Sequence, residues 1–316
     1  MKLTPDLQLS VAAAQAIVDQ AVSGRTVAGV SRLHGGEIAT IYEIAFVSAA
    51  HPPLVLKVYP DDLHWKMQKE ITVLELIGDR LSVSVPRILL SDDSGKLLEL
   101  SFTVMTRLDG SVMDRMEASL SAAARMSAHR QIGRLLREFH GIPMPAFGYL
   151  GANGIVTAYP TNRAYLTYQF RRKLAEFTER GGDAWLADRI AGHVAAREDL
   201  LDACTHAVLC HNDLHAGNLL ATVANGSVVL TGVVDFEGAL AGDPLMDIAK
   251  ALYYLDAESR GAVLEGYGAL DRAHGAETLD LYHLYFVIEL WCWMAQIGNR
   301  KPLEQLALDL ERYSAV

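Results

Sequence analysis

Cys210-His211-Asn212-Asp213-Leu214-His215-Ala216-Gly217-Asn218-Leu219-Leu220 sets an acid and an amide five residues apart, between two apolar runs. A nearly continuous β-branched run, Ser227–Val234, follows and ends on Asp235-Phe236-Glu237, seventeen residues after Asn218. Phosphoryl transfer makes little covalent demand on a protein. It needs a group that orients and deprotonates a hydroxyl, oxygen ligands for Mg²⁺, and cations on the phosphates. Asp213 can take the hydroxyl proton, Asn218 can offer a neutral oxygen to the metal, and Asp235, at a strand end, can hold it as a charged ligand. The acid–amide spacing is a moderate signal alone; the strand and the acid after it make it specific.

Upstream the pattern is β-rich. Val27–Leu33, Thr40–Val47 and Leu54–Tyr59 read as strands, separated by His34-Gly35-Gly36 and His51-Pro52-Pro53. Residues 8–22 read as an Ala-rich helix, and 62–81 as a helix whose stripe is Leu63, Met67, Leu74, Ile77 and Leu81. Pro86–Leu90 and Lys96–Met105 add two strands around the turn at Asp92-Asp93-Ser94-Gly95, completing a five-stranded antiparallel sheet with one helix. Lys57 lies inside the apolar strand Leu54-Val55-Leu56-Lys57-Val58-Tyr59, where an unpaired ammonium is costly. Glu70 interrupts the helix stripe where Leu74 and Ile77 ask for an apolar residue. Two misplaced opposite charges are explained together if they pair.

Beyond Asp109-Gly110 the chain turns helical, at 119–140, 162–179, 183–204 and from Leu245 onward, with Asp243-Pro244 as a helix start. The expected fold is α+β with two lobes, residues 1–104 carrying the sheet and 105–316 the helices, and a cleft between them.

The stretches His211–Asn218, Asp235-Phe236-Glu237 and Gly242-Asp243-Pro244-Leu245-Met246-Asp247 resemble the aminoglycoside phosphotransferase and choline kinase superfamily, relatives of the protein kinases. With the first sheet included, the resemblance covers most of the chain. It implies a protein-kinase-like fold with ATP or GTP and Mg²⁺ in the cleft. Asp213 would be the base, Asn218 and Asp235 the metal ligands, and Asp247 a brace for the loop. Lys57, held by Glu70, would face the α- and β-phosphates. Backbone amides near Gly35 and Gly36 would cover phosphates, although the full glycine pattern is missing. Thr103–Thr106, Met105 included, would form the connector whose backbone meets the nucleotide base. Glu237 stands where protein kinases carry glycine, which points away from protein substrates.

His211 and His215 are expected to shape the loop through hydrogen bonds. With Asp213 they also spell a His-x-Asp-x-His pattern, and a zinc hydrolase is the alternative, with no fourth ligand in sight. A catalytically silent nucleotide-binding protein is a second. The resemblance favours an aminoglycoside or related antibiotic as acceptor; macrolide or peptide antibiotics, homoserine, choline and sugars stay open.

Hydrophobic residues make up 51% and charged residues 21% of the 316, a packed globular profile. A net charge of −10 argues against a general nucleic-acid binder and suits a cationic small substrate. Cys204, Cys210 and Cys292 have no framework spacing and read as reduced thiols of a cytoplasmic protein. Met1–Leu9 lacks a continuous apolar run, and Leu281–Gly298, which contains His283, Glu289 and Gln296, reads as a buried helix rather than a membrane span. A monomer is expected, with a dimer left open.

Overall fold

Along β2 (Thr40–Phe46) every second residue, Thr40, Tyr42, Ile44 and Phe46, is buried, the period that makes one face of a sheet a core. The computed structural model describes residues 5, 7–33, 38–224, 226–270 and 272–315. β1 (Val27–Leu33), β2, β3 (Leu54–Val58), β4 (Ile88–Asp92) and β5 (Phe102–Thr106) form one antiparallel sheet in the order β1-β2-β3-β5-β4. Helix α1 (Val11–Ala21), capped by Ser10, lays Ala14, Ile17 and Val18 against Ile44, Leu56 and Phe102. The expected division after residue 104 falls inside β5.

The helix expected over 62–81 is shorter. Asp61–Leu63 is a separate 3₁₀ turn, and α2 runs from Trp65 to Ile77. Gly78, at φ +53°, ends it by donating its N–H to the Leu74 carbonyl at 3.0 Å. On one side α2 presents Glu70 to the sheet. On the other, Val73, Leu74 and Ile77 join the main core of the helical part, so α2 belongs to both lobes.

The rest of the chain is β6 (Ser111–Val112), α3 (Met113–Glu117), α4 (Ala122–His140), β7 (Gly148–Gly151), β8 (Gly154–Ile155), α5 (Asn162–Glu179) and α6 (Ala184–Ala195). Then come β9 (Val208–Cys210), β10 (Leu219–Ala224), β11 (Ser227–Val233), β12 (Leu240–Gly242), α7 (Pro244–Leu252), α8 (Ala257–Tyr267), α9 (Gly275–Gln296) and α10 (Leu303–Tyr313). The small sheets β11-β10-β6 and β8-β7-β12-β9 flank the loop after Cys210. The expected helix 183–204 stops at Ala195, and Glu198–Ala203 is a 3₁₀ stretch.

α4 and α8 meet backbone to backbone. A Cβ at Gly133 would sit 2.0 Å from the Val263 carbonyl, and one at Gly266 would sit 2.0 Å from that of Arg130. Only glycine permits this approach. Among the described residues no helix is long and apolar enough to cross a membrane, and the cysteine thiols are free and buried.

Candidate active site

Lys57 and Glu70 pair as their misplaced charges required, with Nζ 2.9 Å from Oε2. β3 aims Lys57 off the sheet, and α2 returns Glu70 to meet it; Tyr59 adds a hydrogen bond to the same carboxylate oxygen at 2.5 Å. The ammonium also lies 3.4 Å from Asp235 Oδ1 and 2.8 Å from Glu237 Oε1. Burial on its own draws Lys57 down, but Asp235, Glu70, Tyr59 and Glu237 outweigh it and hold the ammonium well above its ordinary value. Lys66 takes the other oxygen of Glu237 at 3.0 Å. Two ammonium groups therefore serve three carboxylates, Glu70, Asp235 and Glu237, and the surplus negative charge suits a bound cation.

The loop from His211 to Asn218 is fixed from beneath. Asp247, fully buried in the first turn of α7, accepts the backbone N–H of His211 and of Asn212, each at 2.8 Å. His140 lies 3.2 Å from one of its oxygens. Burial alone would raise the Asp247 carboxyl; the hydrogen bond from His140, its charge and the loop amide hold it below the ordinary value. Asn212 is driven to φ +58°, a left-handed conformation unusual outside glycine, and it turns the chain so that Asp213 faces the cleft. Asn218 donates Nδ2 to the Asp213 carbonyl at 2.9 Å and to its carboxylate at 3.2 Å. That commitment leaves the Asn218 amide oxygen as its free acceptor. The Asp213 side chain is 41% exposed, open to an incoming hydroxyl.

His211 is buried between the rings of Phe139 and Phe236, with Nε2 on the Val234 carbonyl at 3.2 Å; burial draws it below its ordinary value, towards the neutral form. His215 accepts the Gly217 N–H at 3.0 Å. Both histidines thus shape the loop. Among the described residues, His215 Nε2 lies 3.8 Å from Asp213 Oδ2 while His211 turns to the Val234 carbonyl, so the three form no ligand group. The clustered set is His140, Cys210 and Asp247, in which His140 and the loop amides already occupy Asp247 and the Cys210 thiol faces the Val208 and Asp243 carbonyls. The zinc-hydrolase pattern has no counterpart in space.

The expected connector, Thr103–Thr106, lies within β5. Thr103 pairs with Lys57 and Ser91, and Met105 with Val55 and Ile88, so the backbones of Thr103 and Met105 lie in the ladders on both sides of β5. The chain leaves the sheet after Thr106, whose N–H is bound by the Arg87 carbonyl at 3.0 Å. Gly35 and Gly36 lie outside the described residues.

Three lysines were not anticipated. Lys66 reads in sequence as a solvated helix residue, yet binds Glu237. Lys69 is fully buried, its Nζ lies 3.5 Å from the Tyr149 ring centre, and burial, with Lys66 nearby, draws the ammonium well below its ordinary value. Lys250 stands 3.9 Å from Asp213 Oδ1.

A sheet lobe whose lysine meets the acid at the head of a helical lobe, beside an acid–amide loop braced from below, defines a kinase-like phosphotransferase. The sequence pattern of the phosphotransferase enzyme family matches residues 29–282, and the chain belongs to that family. No curated protein matches it. Among solved structures, aminoglycoside phosphotransferase APH(4)-Ia is similar at 15% identity and a TM-score of 0.74, over 97% of this chain and 99% of that one. The gentamicin complex of APH(2″)-IIa is similar at 17% identity and a TM-score of 0.68, over 97% of each chain. The GDP and kanamycin complex of APH(2″)-IIIa gives 17% identity and a TM-score of 0.68, over 96% and 98%. The shared architecture is the two-lobed protein-kinase-like fold.

Proposed function

We propose that this chain transfers the γ-phosphoryl group of ATP or GTP to a hydroxyl of a small cationic acceptor of the aminoglycoside class, with Asp213 as the base. The observation that carries it is the junction of Lys57 with Asp235, 3.4 Å apart across 178 residues of sequence, beside the Asp213–Asn218 loop. Lys57, steadied by Glu70, holds phosphate oxygens. Asn218 and Asp235 fit Mg²⁺: both offer hard oxygen donors, and the cluster they adjoin has surplus negative charge. When bound, the metal neutralises charge on the phosphates. Asp213 orients the hydroxyl and takes its proton late in a loose transition state.

Two similar folds were captured with gentamicin and with kanamycin; that similarity and the net charge of −10 support a polycationic acceptor. In this reading residues 1–104, with β5 completing the sheet, bind nucleotide, and 105–316 bind the acceptor. The enzyme works in the cytoplasm, where its thiols stay reduced.

The test is incubation with labelled ATP or GTP, Mg²⁺ and a panel of aminoglycosides, macrolides, homoserine, choline and sugars. Transfer to an aminoglycoside is expected. Transfer to choline or homoserine alone removes the acceptor class and keeps the reaction; no transfer to any member, with nucleotide bound tightly, points to a silent binder.

A further inference from the structure

We propose that Lys250 is a further catalytic residue, the ammonium that contacts the transferring phosphoryl group beside Asp213; this rests on the phosphotransferase reading above. The loop from Cys210 to Asn218 contains no lysine or arginine. Of its histidines, His211 is buried on the Val234 carbonyl, and His215 accepts the Gly217 N–H through Nδ1 and keeps Nε2, 3.8 Å from Asp213 Oδ2, on an imidazole with no fixed charge. Lys57 and Lys66 are bound on the far side by Glu70, Asp235 and Glu237. A transition state with charge spread over three phosphoryl oxygens needs a cation at the acceptor side as well.

Lys250 supplies it from outside the loop. It lies three residues after Asp247 on α7, hence on the same helix face, so the helix that braces the loop through Asp247 also delivers an ammonium to its acid. Its side chain is 18% exposed, and Nζ stands 3.9 Å from Asp213 Oδ1, wider than a hydrogen bond. Behind it Nζ rests 5.0 Å from the Phe286 ring centre, and Tyr253 and Tyr254 meet that ring edge-on. An aromatic face attracts an ammonium without a lone-pair acceptor. Among the described residues no acceptor closes a hydrogen bond on Nζ, and its donors stay free.

In the step, the acceptor oxygen forms a bond to phosphorus, the bond from phosphorus to the bridging oxygen of the leaving diphosphate breaks, and the hydroxyl proton goes to Asp213. Lys250 keeps its protons and donates hydrogen bonds to the non-bridging oxygens.

The test needs no known acceptor. Calorimetry measures MgADP or MgGDP, whichever the wild-type protein binds more tightly, alone and with aluminium fluoride as a mimic of the phosphoryl group in flight. Lys250→Met and Lys250→Gln are expected to bind the diphosphate within about 3-fold of wild type and to lose at least ~30-fold of the tightening that fluoride adds; Lys250→Arg keeps most of it. Two neutral variants guard against one that misfolds, which thermal melting reports. Neutral variants that hold the mimic as tightly as wild type overturn the proposal while leaving the phosphotransferase reading intact. Failure of the wild-type protein to bind either diphosphate overturns both.

Discussion

On the sheet side of the cleft Lys57 is enclosed by Glu70, Asp235 and Glu237, and its side chain is 8% exposed. On the loop side Asp213 keeps 41% of its side chain accessible, accepts one hydrogen bond from Asn218 at 3.2 Å, and meets Lys250 and His215 only at 3.9 and 3.8 Å. The first wall is a charge cluster in which Lys57, Glu70 and Glu237 are buried against one another, with Asp235 at its open edge. The second is an open carboxylate whose backbone is held from behind. Stability and function should therefore be coupled at Lys57 and separable at Asp213.

The largest effect tests the open wall. Asp213→Ala should lower transfer at least ~10³-fold, with nucleotide affinity by calorimetry and the melting temperature close to wild type. A variant with wild-type turnover removes the assigned base, and one that melts early removes the contrast. Next comes the closed wall. Lys57→Met leaves buried carboxylates without their cation and should cost about 3–5 kcal/mol in denaturant unfolding, together with transfer. Adding Glu70→Gln should restore part of the stability and none of the activity; restored activity would detach the pair from its role.

Two smaller effects probe the scaffold beneath the loop. His283, buried on α9 and stacked on Tyr313 at 5.3 Å, is drawn from 6.5 down to about 4 by burial, with Arg260 and Arg312 nearby. Since the folded value is the lower one, the unfolded chain takes up the proton first. The contribution of His283 is complete above pH 6.5, falls by about 3 kcal/mol as pH drops towards 4, and levels off below. His283→Phe, which keeps the stack, should flatten this slope in unfolding curves taken at pH 7 and pH 4.5. Gly266→Ala should destabilise by about 2 kcal/mol, because its Cβ meets the Arg130 carbonyl of α4, the helix that brings His140 to Asp247. An early-melting protein with unchanged kcat would show that the loop tolerates a displaced α4.

How much of this could be read in sequence follows the same division. Val27–Leu33 is a strand with the bounds its pattern predicts, and Lys57 and Glu70 betrayed themselves as charges in apolar places. Asp213, Asn218 and Asp235 stood at a recognisable spacing. Lys66, Lys69 and Lys250 did not, because a lysine on a helix is the commonest sign of a solvated face; only the approach of Glu237, Tyr149 and Asp213 from distant segments gives these three a meaning. Strand edges failed for a related reason. The apolar run over 96–105 yields a strand only from Phe102, where β3 and β4 are both present to pair with it. β7, with two glycines among its four residues, lacks a strand's composition and exists through its partners β8 and β12.

Asp247 grips the loop by main-chain amides, which every residue except proline possesses. The shape of that turn is therefore insulated from the identity of most side chains along it. Ala216, whose side chain makes no hydrogen bond, can be exchanged to suit a different acceptor while the acid stays where it is. A lineage of such enzymes could diversify its chemistry of recognition on an unchanging hinge, with proline at 211 or 212 as the substitution forbidden throughout.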